Sequence, residues 1–340
     1  MSEPVSIHTV AKKAHCSIAT VSNVLNRKGR VGEKTRRKVL ATVEALGYVA
    51  NSAGRNLRIN RSETIGLLFY PSCAEIFQNT FYAEITAGLE EHLTQAGYHL
   101  LLASYEASVA HTTVPDFLVR GKVDGMILLG AFPKKIIRRF CVTETPLLLL
   151  DANVELPVDS VVTDGLAAGE AIVDHLVALG HRRFVWIGYT YEDDNIRLRK
   201  QGFLDALRRR NLPDVDRTSI EGVNENDEFY RQIKIRLRGK RPPTAVVAVN
   251  DGLAVAMMQR LREDGYQVPE QVSVVGYDDD LFVERVKPLL STVRVDKKTL
   301  GRVGAEMILR RVADPEIPVE KRLLPVELVW RESVGPAHSI

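Results

Sequence analysis

Apolar residues recur with helical spacing through the first 50 positions of the chain. The pattern predicts three short helices: one that Ser6 can cap, one that begins after Ser17, and one from about Glu33 to Leu46. Their inward stripes are Ile7, Val10, Ala11 and Ala14, then Val21, Val24 and Leu25, then Val39, Leu40, Val43 and Leu46. Gly47 stands at the position where a left-handed residue often ends a helix. Three short helices joined by tight turns predict a helix-turn-helix unit.

The pattern changes after Glu63, where near-continuous apolar runs alternate with amphipathic helical stretches. The first set of runs is TIGLLFY, YHLLLAS, VDGMILLG and TPLLLLD, and the second is RRFVWIG, RTSIEG, TAVVAVND and VSVVGYDD. Such runs are typical of parallel strands covered on both faces, and their alternation with helices predicts doubly wound α/β sheets. Two sets of runs predict two subdomains with a cleft between them.

The charge of the chain is divided unevenly between these two regions. Residues 1–61 hold 12 Lys and Arg and 3 Asp and Glu, a net charge of +9, whereas the remainder has a net charge of −6. A basic head on an acidic body points to a polyanionic partner, and its coincidence with the predicted helix-turn-helix favours nucleic acid over a merely solvated basic face.

Composition and short motifs exclude several other classes of protein. No apolar run approaches the ~20 residues that cross a bilayer, and MSEPVSIHTV does not have the pattern of a signal peptide. The three cysteines, Cys16, Cys73 and Cys141, are widely spaced, which argues against a disulfide framework or a zinc site and favours a cytoplasmic protein.

The sequence offers no catalytic motif. It contains no GxGxxG, P-loop, HExxH or GxSxG pattern, so we expect no enzymatic activity, no cofactor and no catalytic residue. The acidic run from Tyr277 to Asp280 is interpreted as solvated acidity and not as a metal site, because neighbouring carboxylates in a turn point in different directions. His181 is interpreted as a structural residue.

The helix after Ser17 carries short side chains, not charges, on its outward positions. In a helix-turn-helix unit this second helix enters the major groove, and its early residues meet the base edges. Asn pairs with adenine, and small apolar groups contact the thymine methyl group. The candidates for such contacts are Ile18, Ala19, Thr20, Ser22 and Asn23. For Ile18 and Ala19, packing against the other helices is an equally good interpretation.

Two segments, VSIHTVAKKAHCSIATVSNVLN and TRRKVLATVEALGYVANSAGRNL, resemble the headpiece of the lactose-repressor/galactose-repressor family of bacterial transcription regulators. The resemblance implies that Ile18, Ala19 and Asn23 read bases. It also implies that phosphate binding or helix capping falls to Ser17, Thr20, Ser22 and Asn26. The segment NSAGRNLR then becomes a hinge helix only on DNA, where it would contribute Asn51 and Arg55 and wedge Leu57 into the minor groove.

Three positions depart from the family pattern. His15 stands where the turn usually has Gly, Ala50 where a Pro precedes the hinge, and Gly54 where Ala is usual. His tolerates the left-handed conformation better than most residues. Gly costs about 1 kcal/mol relative to Ala in a helix, so we expect a hinge that orders less readily and an operator affinity that depends more on salt.

The same resemblance implies that the body is wound like the periplasmic sugar-binding proteins. The expected organisation is a helix-turn-helix domain at 1–50, a hinge at 51–61, and an effector-binding and dimerisation core at 62–340. The N-subdomain of the core would comprise about 62–162 and 292–320, and the C-subdomain about 163–291 and 321–340. The chain would therefore cross between the subdomains near LLSTVRVD and again near Lys321.

Polar residues follow several of the predicted strands, at the edge where such sheets bind ligands. Asp151, Asn250 and Asp278 each follow an apolar run, and Arg199 follows a loop. Capping of the next helix is the alternative interpretation of such residues, and we favour it for Asp251. The segments R..GF, ND..A and GYDD match effector-contacting segments of the family, which implies effector contacts for Arg199, Asn250 and Asp278.

The segment NTFYAEI resembles another segment of the family that lies near the ligand. The resemblance implies that Phe81 and Tyr82 contact the effector. An aromatic face can stack on a sugar ring or on a nucleobase. Core packing of one of the two residues is at least as good an interpretation.

These observations predict a cytoplasmic, homodimeric transcription regulator of the repressor type that binds a pseudo-palindromic operator. A small metabolite, a sugar or sugar derivative, would bind between the two core subdomains and control operator affinity. The alternatives are a nucleobase or other non-sugar corepressor, and a ligand-binding protein without DNA function. We expect no membrane partner, and a dimer in preference to a tetramer because ESVGPAHSI shows no heptad pattern.

The predicted hinge gives a direct test of the family resemblance. Leu57→Ala removes the apolar wedge, so operator affinity should fall on the order of tenfold or more while effector binding stays intact. Operator titration at fixed salt measures the change, and Leu57→Met, which keeps an apolar wedge, is the control. Equal operator affinity of the Ala variant and the parent protein would refute the wedge.

Overall fold

The computed structural model describes residues 5–25, 29–48, 61–70, 77–105, 121–190, 193–212, 219–222 and 227–337. The chain divides into two compact units, Met1–Arg61 and Ser62–Ile340, called here the headpiece and the core. None of the helices in the described ranges is long and apolar enough to span a bilayer.

The headpiece contains the three predicted helices, α1 (Ile7–Ala14), α2 (Ile18–Leu25) and α3 (Glu33–Ala45). Ser6 caps α1 as expected: its hydroxyl accepts a hydrogen bond from the Thr9 backbone N–H at 3.3 Å. His15 ends α1 in the left-handed conformation, with φ 48° and ψ 48°. Gly47 follows α3 with φ 58°. The departure at His15 therefore leaves the turn intact.

A small apolar core holds α1, α2 and α3 together. Val10, Val21 and Val39, one from each helix, are fully buried. The expected inward position of Leu40 is wrong, since 48% of its surface is exposed. Leu40 lies about 100° around α3 from Val39, and the buried stripe of a unit this small is too narrow to include both.

The core alternates strands and helices along the chain. Its strands are β1 (Thr64–Phe69), β2 (His99–Ser104), β3 (Gly125–Leu129), β4 (Leu147–Leu150), β5 (Asp159–Thr163), β6 (Phe184–Tyr189), β7 (Ser219–Gly222), β8 (Ala245–Ala248), β9 (Ser273–Val275), β10 (Thr292–Arg294), β11 (Lys321–Leu324) and β12 (Glu327–Val329). Its α-helices are α4 (Thr80–Gln95), α5 (Lys134–Cys141), α6 (Gly165–Ala178), α7 (Asp194–Arg209), α8 (Asp227–Leu237), α9 (Asp251–Glu263) and α10 (Lys297–Ala313).

The strands form two parallel sheets, as the apolar runs predicted. The first sheet has the order β11-β5-β4-β3-β1-β2, and the second has the order β7-β6-β8-β9. β2 is an edge strand with partly exposed side chains, so the expectation that this run is covered on both faces is wrong. A short antiparallel pair, β10 with β12, lies where the chain passes between the two sheets.

The expected subdomain boundaries need two corrections. Residues 321–324 were expected in the C-subdomain, but as β11 they pair in parallel with β5 of the first sheet. Residues 292–294 were expected in the N-subdomain, but they pair with β12, and the neighbouring Ser291 bridges to Val275 of the second sheet. The later crossings therefore fall near Val295 and Pro325.

Glycines allow two pairs of core helices to pack with their backbones in contact. In the first subdomain, α4 and α10 meet at Gly88 and Gly301, and a Cβ at Gly301 would overlap the carbonyl oxygen of Ile85. In the second, α6 and α7 meet in the same way at Gly169 and Gly202. Each subdomain thus has one helix pair whose separation is set by the absence of a side chain.

This packing predicts a large cost for a single methyl group. Gly301→Ala must push α10 away from α4, and overpacking of this kind costs about 1–3 kcal/mol, so the core should unfold at a lower urea concentration. Trp fluorescence reports the core, since both tryptophans, Trp186 and Trp330, lie in it.

Gly252→Ala is the matched control for this substitution. A Cβ there would find its nearest neighbour, Asn250 Oδ1, at 3.6 Å, an ordinary contact. The control should unfold at an equal or slightly higher urea concentration. An unchanged unfolding midpoint for Gly301→Ala would refute the backbone contact between α4 and α10.

Candidate functional site

The outward face of α2 is small, polar and exposed. Ile18, Ala19 and Asn23 are exposed, while Val21 and Val24 are buried on the opposite side. The packing interpretation of Ile18 therefore fails within the described headpiece, where 41% of its surface is free. A helix whose outer positions carry no charge and whose apolar side is covered presents hydrogen-bonding and methyl groups outward.

Two of the expected phosphate-binding residues serve the start of α2. Ser17 Oγ accepts a hydrogen bond from the Thr20 N–H at 3.0 Å, and the two hydroxyl oxygens lie 2.9 Å apart. Capping is therefore a confirmed role for Ser17. Ser22 is half-buried and already has a partner. The remaining expected DNA-contacting residues, Asn26, Asn51, Arg55 and Leu57, lie outside the described residues.

Basic side chains stand on the helices to either side of α2. Lys12 and Lys13 occupy the last turn of α1, and Lys34, Arg37 and Lys38 are exposed on α3. Arg37 is paired with Glu33 at 3.2 Å, an exposed contact that leaves most of its guanidinium in solvent. The headpiece therefore combines a neutral face with flanking positive charge, which suits base edges between two phosphate backbones.

In the core, polar side chains converge at the carboxyl ends of strands from both sheets. Asp151 follows β4 of the first sheet and Asn195 lies in the first turn of α7 in the second subdomain. Asn195 Nδ2 donates to the Asp151 carboxylate at 3.0 Å and to its main-chain carbonyl at 2.8 Å. Both side chains are buried. This pair joins the two subdomains across the cleft.

Arg199, one turn after Asn195, is buried among partners of three kinds. Its Nη1 donates to the Val249 carbonyl at 2.9 Å, and its Nη2 lies 3.2 Å from Asp278 Oδ1. The guanidinium carbon lies 3.6 Å above the ring centre of Tyr277. Burial by itself would lower the pKa of Arg199, but Asp278 and the neighbouring groups raise it above its usual value, so the side chain stays charged.

Asp278 is held in a backbone conformation, φ 112°, that residues with side chains rarely adopt. Its N–H donates to the Val293 carbonyl at 2.8 Å, which fixes it beside the crossing strand. Burial raises the pKa of Asp278 to about 7, although Arg199 opposes the rise. Burial and the nearby Asp193 raise the pKa of Asp151 well above its usual range. Burial therefore favours the protonated form of both carboxyl groups relative to a carboxyl group in water.

Lys297 closes the other side of the cleft, and sequence reasoning missed it. It is buried on the first turn of α10 and donates to the Asp278 and Asp279 carbonyls at 2.6 and 3.0 Å. Asp280 and Glu84 lie 3.7 and 3.9 Å from its Nζ. The helix dipole disfavours a positive charge in the first turn of a helix. A lysine at this position of α10 was therefore the sequence feature that could have identified Lys297 as a site residue. Asn195 was also missed, and its only signal was its position one helical turn before Arg199.

The acidic run after Tyr277 is not solvated, so that interpretation was wrong. Asp278 and Asp280 are buried, and Asp279 pairs with Arg294 and Arg331, in each case at 2.7 Å. The three carboxylates do point in different directions. Each carboxylate, however, lies within 4 Å of a cationic side chain of the core: Arg199 for Asp278, Arg294 and Arg331 for Asp279, and Lys297 for Asp280.

Two further assignments change at the start of α9. The N-cap of this helix is Asn250, whose side chain accepts from the Leu253 N–H at 2.9 Å, so the expected capping by Asp251 is wrong. Asp251 is fully buried, and it accepts from the Asp280 N–H at 2.8 Å and from the Thr292 hydroxyl at 2.5 Å. Asp251 therefore stabilises the turn beneath the cleft. Contact of Asn250 with an effector remains a prediction.

Of the two aromatic residues expected to contact the effector, Phe81 is buried and Tyr82 is half-buried. Phe81 belongs to the apolar core, as its packing interpretation predicted, with its ring centre 5.8 Å from Lys297 Nζ. Tyr82 is half-buried and stands edge-on to Phe69 at 6.0 Å. His181 is buried on the opposite side of the second sheet, where its ring contacts Thr244 at 2.9 Å, which fits a structural residue.

The cleft thus offers both acceptors and donors at close quarters. Asn195 Oδ1 and Arg199 Nε are buried without hydrogen-bond partners among the described residues. A ligand with hydroxyl groups, each of which donates and accepts, would satisfy both kinds of group.

Comparison with protein-family models matches both parts of the chain. Residues 6–51 match the model for bacterial regulatory proteins of the lacI family, and residues 173–334 match the model for a periplasmic binding protein-like domain. The HTH-type transcriptional regulator DegA of Bacillus subtilis is 30% identical over 343 residues, 98% of this chain and 99% of its own length.

Solved structures show the same architecture. A lac repressor dimer bound to operator and the anti-inducer ONPF is 27% identical, with a TM-score of 0.83 over 98% of this chain and 100% of that one. A LacI family transcriptional regulator from Enterococcus faecium with bound ribose is 28% identical, with a TM-score of 0.69 over 81% of this chain and 100% of that one.

The helix-turn-helix headpiece, the two parallel sheets and the matches over nearly the full length agree with one another. The chain belongs to the LacI family of bacterial regulatory proteins and is a DNA-binding transcription regulator, not an enzyme.

Proposed function

We propose that this protein is a cytoplasmic repressor that binds a pseudo-palindromic operator as a homodimer and is controlled by a sugar-like effector. The outward face of α2, with Ile18, Ala19 and Asn23, reads the bases of each half-site. The effector binds at the cluster formed by Asp151, Asn195, Arg199 and Asp278, with Asn250 and Tyr82 at its edge.

The observation that carries this proposal is the polar contact between the two subdomains. Asp151 comes from the first sheet and Asn195 from the second subdomain, and the two are joined by hydrogen bonds of 2.8 and 3.0 Å. A ligand that takes over these hydrogen bonds changes how the subdomains are held together. It alters operator affinity only if it binds one arrangement of the subdomains better than the other.

A sugar fits the described cleft better than a nucleobase does. Recognition of a nucleobase uses aromatic faces for stacking, but one face of Tyr277 is covered by Arg199 at 3.6 Å and Phe81 is buried in the core. Buried acceptors and donors close together suit a polyol instead. The related regulator with bound ribose supports the same class of ligand.

Selection of bound fragments from genomic DNA at about 150 mM salt tests the DNA-binding part, because non-specific phosphate binding is weak there. Recovery of a palindromic sequence supports the proposal. The recovered operator is then titrated in the presence of a panel of neutral pentoses and hexoses. Fragments without a shared sequence, with or without these sugars, would contradict it.

Asn23→Ala should reduce sequence discrimination more than it reduces DNA binding. A lost side-chain contact to a base is worth about 1–3 kcal/mol, so affinity for the recovered operator should fall roughly 5- to 150-fold. Affinity for a scrambled duplex should not change. Competition titration with both duplexes measures the ratio.

Lys38→Ala is the matched control on α3. It removes a flanking positive charge, so it should weaken operator and scrambled duplexes by the same factor and lower the salt dependence. If Asn23→Ala weakened both duplexes equally, Asn23 would be removed from the base-reading face.

Asp278→Asn should uncouple the effector from the operator. Asn keeps the side-chain size and tolerates positive φ, but it leaves Arg199 without its charged partner. The concentration of the active sugar that half-changes operator affinity should rise at least about tenfold, roughly 1.4 kcal/mol.

Asp205→Asn controls for loss of a carboxylate on the same core. Asp205 lies on α7 in a partly exposed pair with Arg208, and its substitution should leave the response unchanged. Trp fluorescence shows whether each variant is folded. A folded Asp278→Asn protein with an unchanged response would exclude Asp278 from the effector site.

A further inference from the structure

The cleft carries more acidic than basic side chains. Among the described residues that meet there, the cations are Arg199 and Lys297, and the acidic groups are Glu84, Asp151, Asp193, Asp278 and Asp280. Each of these groups is wholly or largely removed from solvent. Charges in such a place are poorly screened, so their balance acts directly on any ligand that enters.

Both cations are already neutralised by neighbours within the protein. Arg199 pairs with Asp278 at 3.2 Å and gives another N–H to the Val249 carbonyl. Lys297 donates to two main-chain carbonyls and lies within 4 Å of Asp280 and Glu84. An anionic ligand would therefore have to compete with these carboxylates for every positive charge in the described cleft.

Two carboxylates, Asp151 and Asp193, have no cation within ion-pair distance among the described residues. Asp151 accepts from the Asn195 amide. Asp193 caps α7 and accepts from the Asn195 N–H at 2.7 Å. Asn195, which donates to both carboxylates, has a buried side-chain oxygen, Oδ1, without a hydrogen-bond partner in the described structure. Asp151, Asp193 and Asn195 Oδ1 are thus three acceptor groups at the start of α7, none of which is directly paired with a cation among the described residues.

The pKa shifts of Asp151 and Asp193 agree with two buried carboxyl groups that are not directly paired with a cation. Burial raises the pKa of Asp151 and of Asp193. The nearby Asp193 raises the pKa of Asp151 further, and the charge of Arg199 opposes the rise at both groups. A cation placed between them would favour the ionised form of both. An anion would do the opposite.

We propose that the cleft selects its ligand by charge, an inference that rests on the proposed effector site. It takes a polyhydroxyl compound that carries a protonated amine in preference to the neutral compound, and it rejects carboxylated or phosphorylated sugars. The amine lies against Asp151, Asp193 and Asn195 Oδ1, while hydroxyl groups meet Arg199 and Asp278.

Matched sugars that differ only in charge test this selection. Glucose, glucosamine and glucuronate form one series, and the galactose and mannose counterparts form two more; glucose 6-phosphate adds a second anion. Calorimetry and thermal denaturation with the full-length protein near neutral pH measure binding. In each series that binds, we expect the amine to bind roughly tenfold more tightly than the neutral sugar, and no binding of the acid or the phosphate.

Asp193→Asn identifies the source of the preference. Asn caps a helix as well as Asp does, so the start of α7 is kept while one negative charge is removed. The ratio of amine to neutral affinity should fall several-fold, because the amine loses a charged partner that a neutral hydroxyl group does not require. Asp205→Asn, which removes a carboxylate from the same helix at a partly exposed position, should leave the ratio unchanged.

The outcomes separate this inference from the proposed function. A uronate or phosphate that binds as tightly as the neutral sugar, or an amine that binds no better, overturns the charge selection and leaves the sugar site standing. An unchanged ratio in Asp193→Asn overturns the assignment to this carboxylate. If no sugar of any series binds while operator binding is normal, both the charge selection and the sugar effector are refuted.

Discussion

The buried guanidinium of Arg199 is the interaction on which the cleft depends. Removing a cation from water is expensive, and the expense is offset only where the cation finds a carboxylate, a carbonyl and an aromatic face in good geometry. Arg199 finds them in Asp278, Val249 and Tyr277. These three residues follow two neighbouring strands, β8 and β9, so satisfying one side chain fixes the carboxyl edge of the second sheet against α7.

The same helical turn also reaches the other subdomain. Asn195 lies four residues before Arg199, hence on the same face of α7, and its amide bridges to Asp151 after β4. Lys297 makes the second connection, from α10 of the first subdomain to the turn at Asp278. The two subdomains are therefore clasped by polar contacts at the cleft, and such contacts are the kind that a polar ligand can replace.

The sequence patterns that were read correctly are local ones. Apolar spacing located α1 and α2, and apolar runs located β1, β3, β6 and β8, because the apolar pattern of a helix or a covered strand lies within one continuous segment of the chain. The failures concern partners that are distant in the chain. β11 is only four residues long and pairs with β5 about 160 positions away, so its sheet could not be read from KRLL alone.

The site itself divides in the same way. Asp151, Arg199 and Asp278 stand at strand ends or match family segments, so their position was predictable. Asn195 and Lys297 matter because of their partners across the cleft, Asp151 and the Asp278 carbonyl. A local sequence pattern does not reveal such partners. The exchange of roles between Asn250 and Asp251 has a different cause: both are good caps, and moving the helix start by one residue decides which side chain points to the helix and which is buried beneath the turn.

The uneven distribution of charge along the chain affects the binding of both DNA and the effector. The headpiece segment carries a net charge of +9 and the remainder −6, so the net positive charge that favours DNA lies in the segment with the helix-turn-helix. Exposed charges act only over a Debye length of about 8 Å at physiological salt, so the exposed charges of the core have little influence on a distant anion. The buried carboxylates of the cleft are not screened in this way. A core whose buried site is acidic therefore opposes binding of anions in its cleft, while the headpiece supplies the net positive charge that favours DNA.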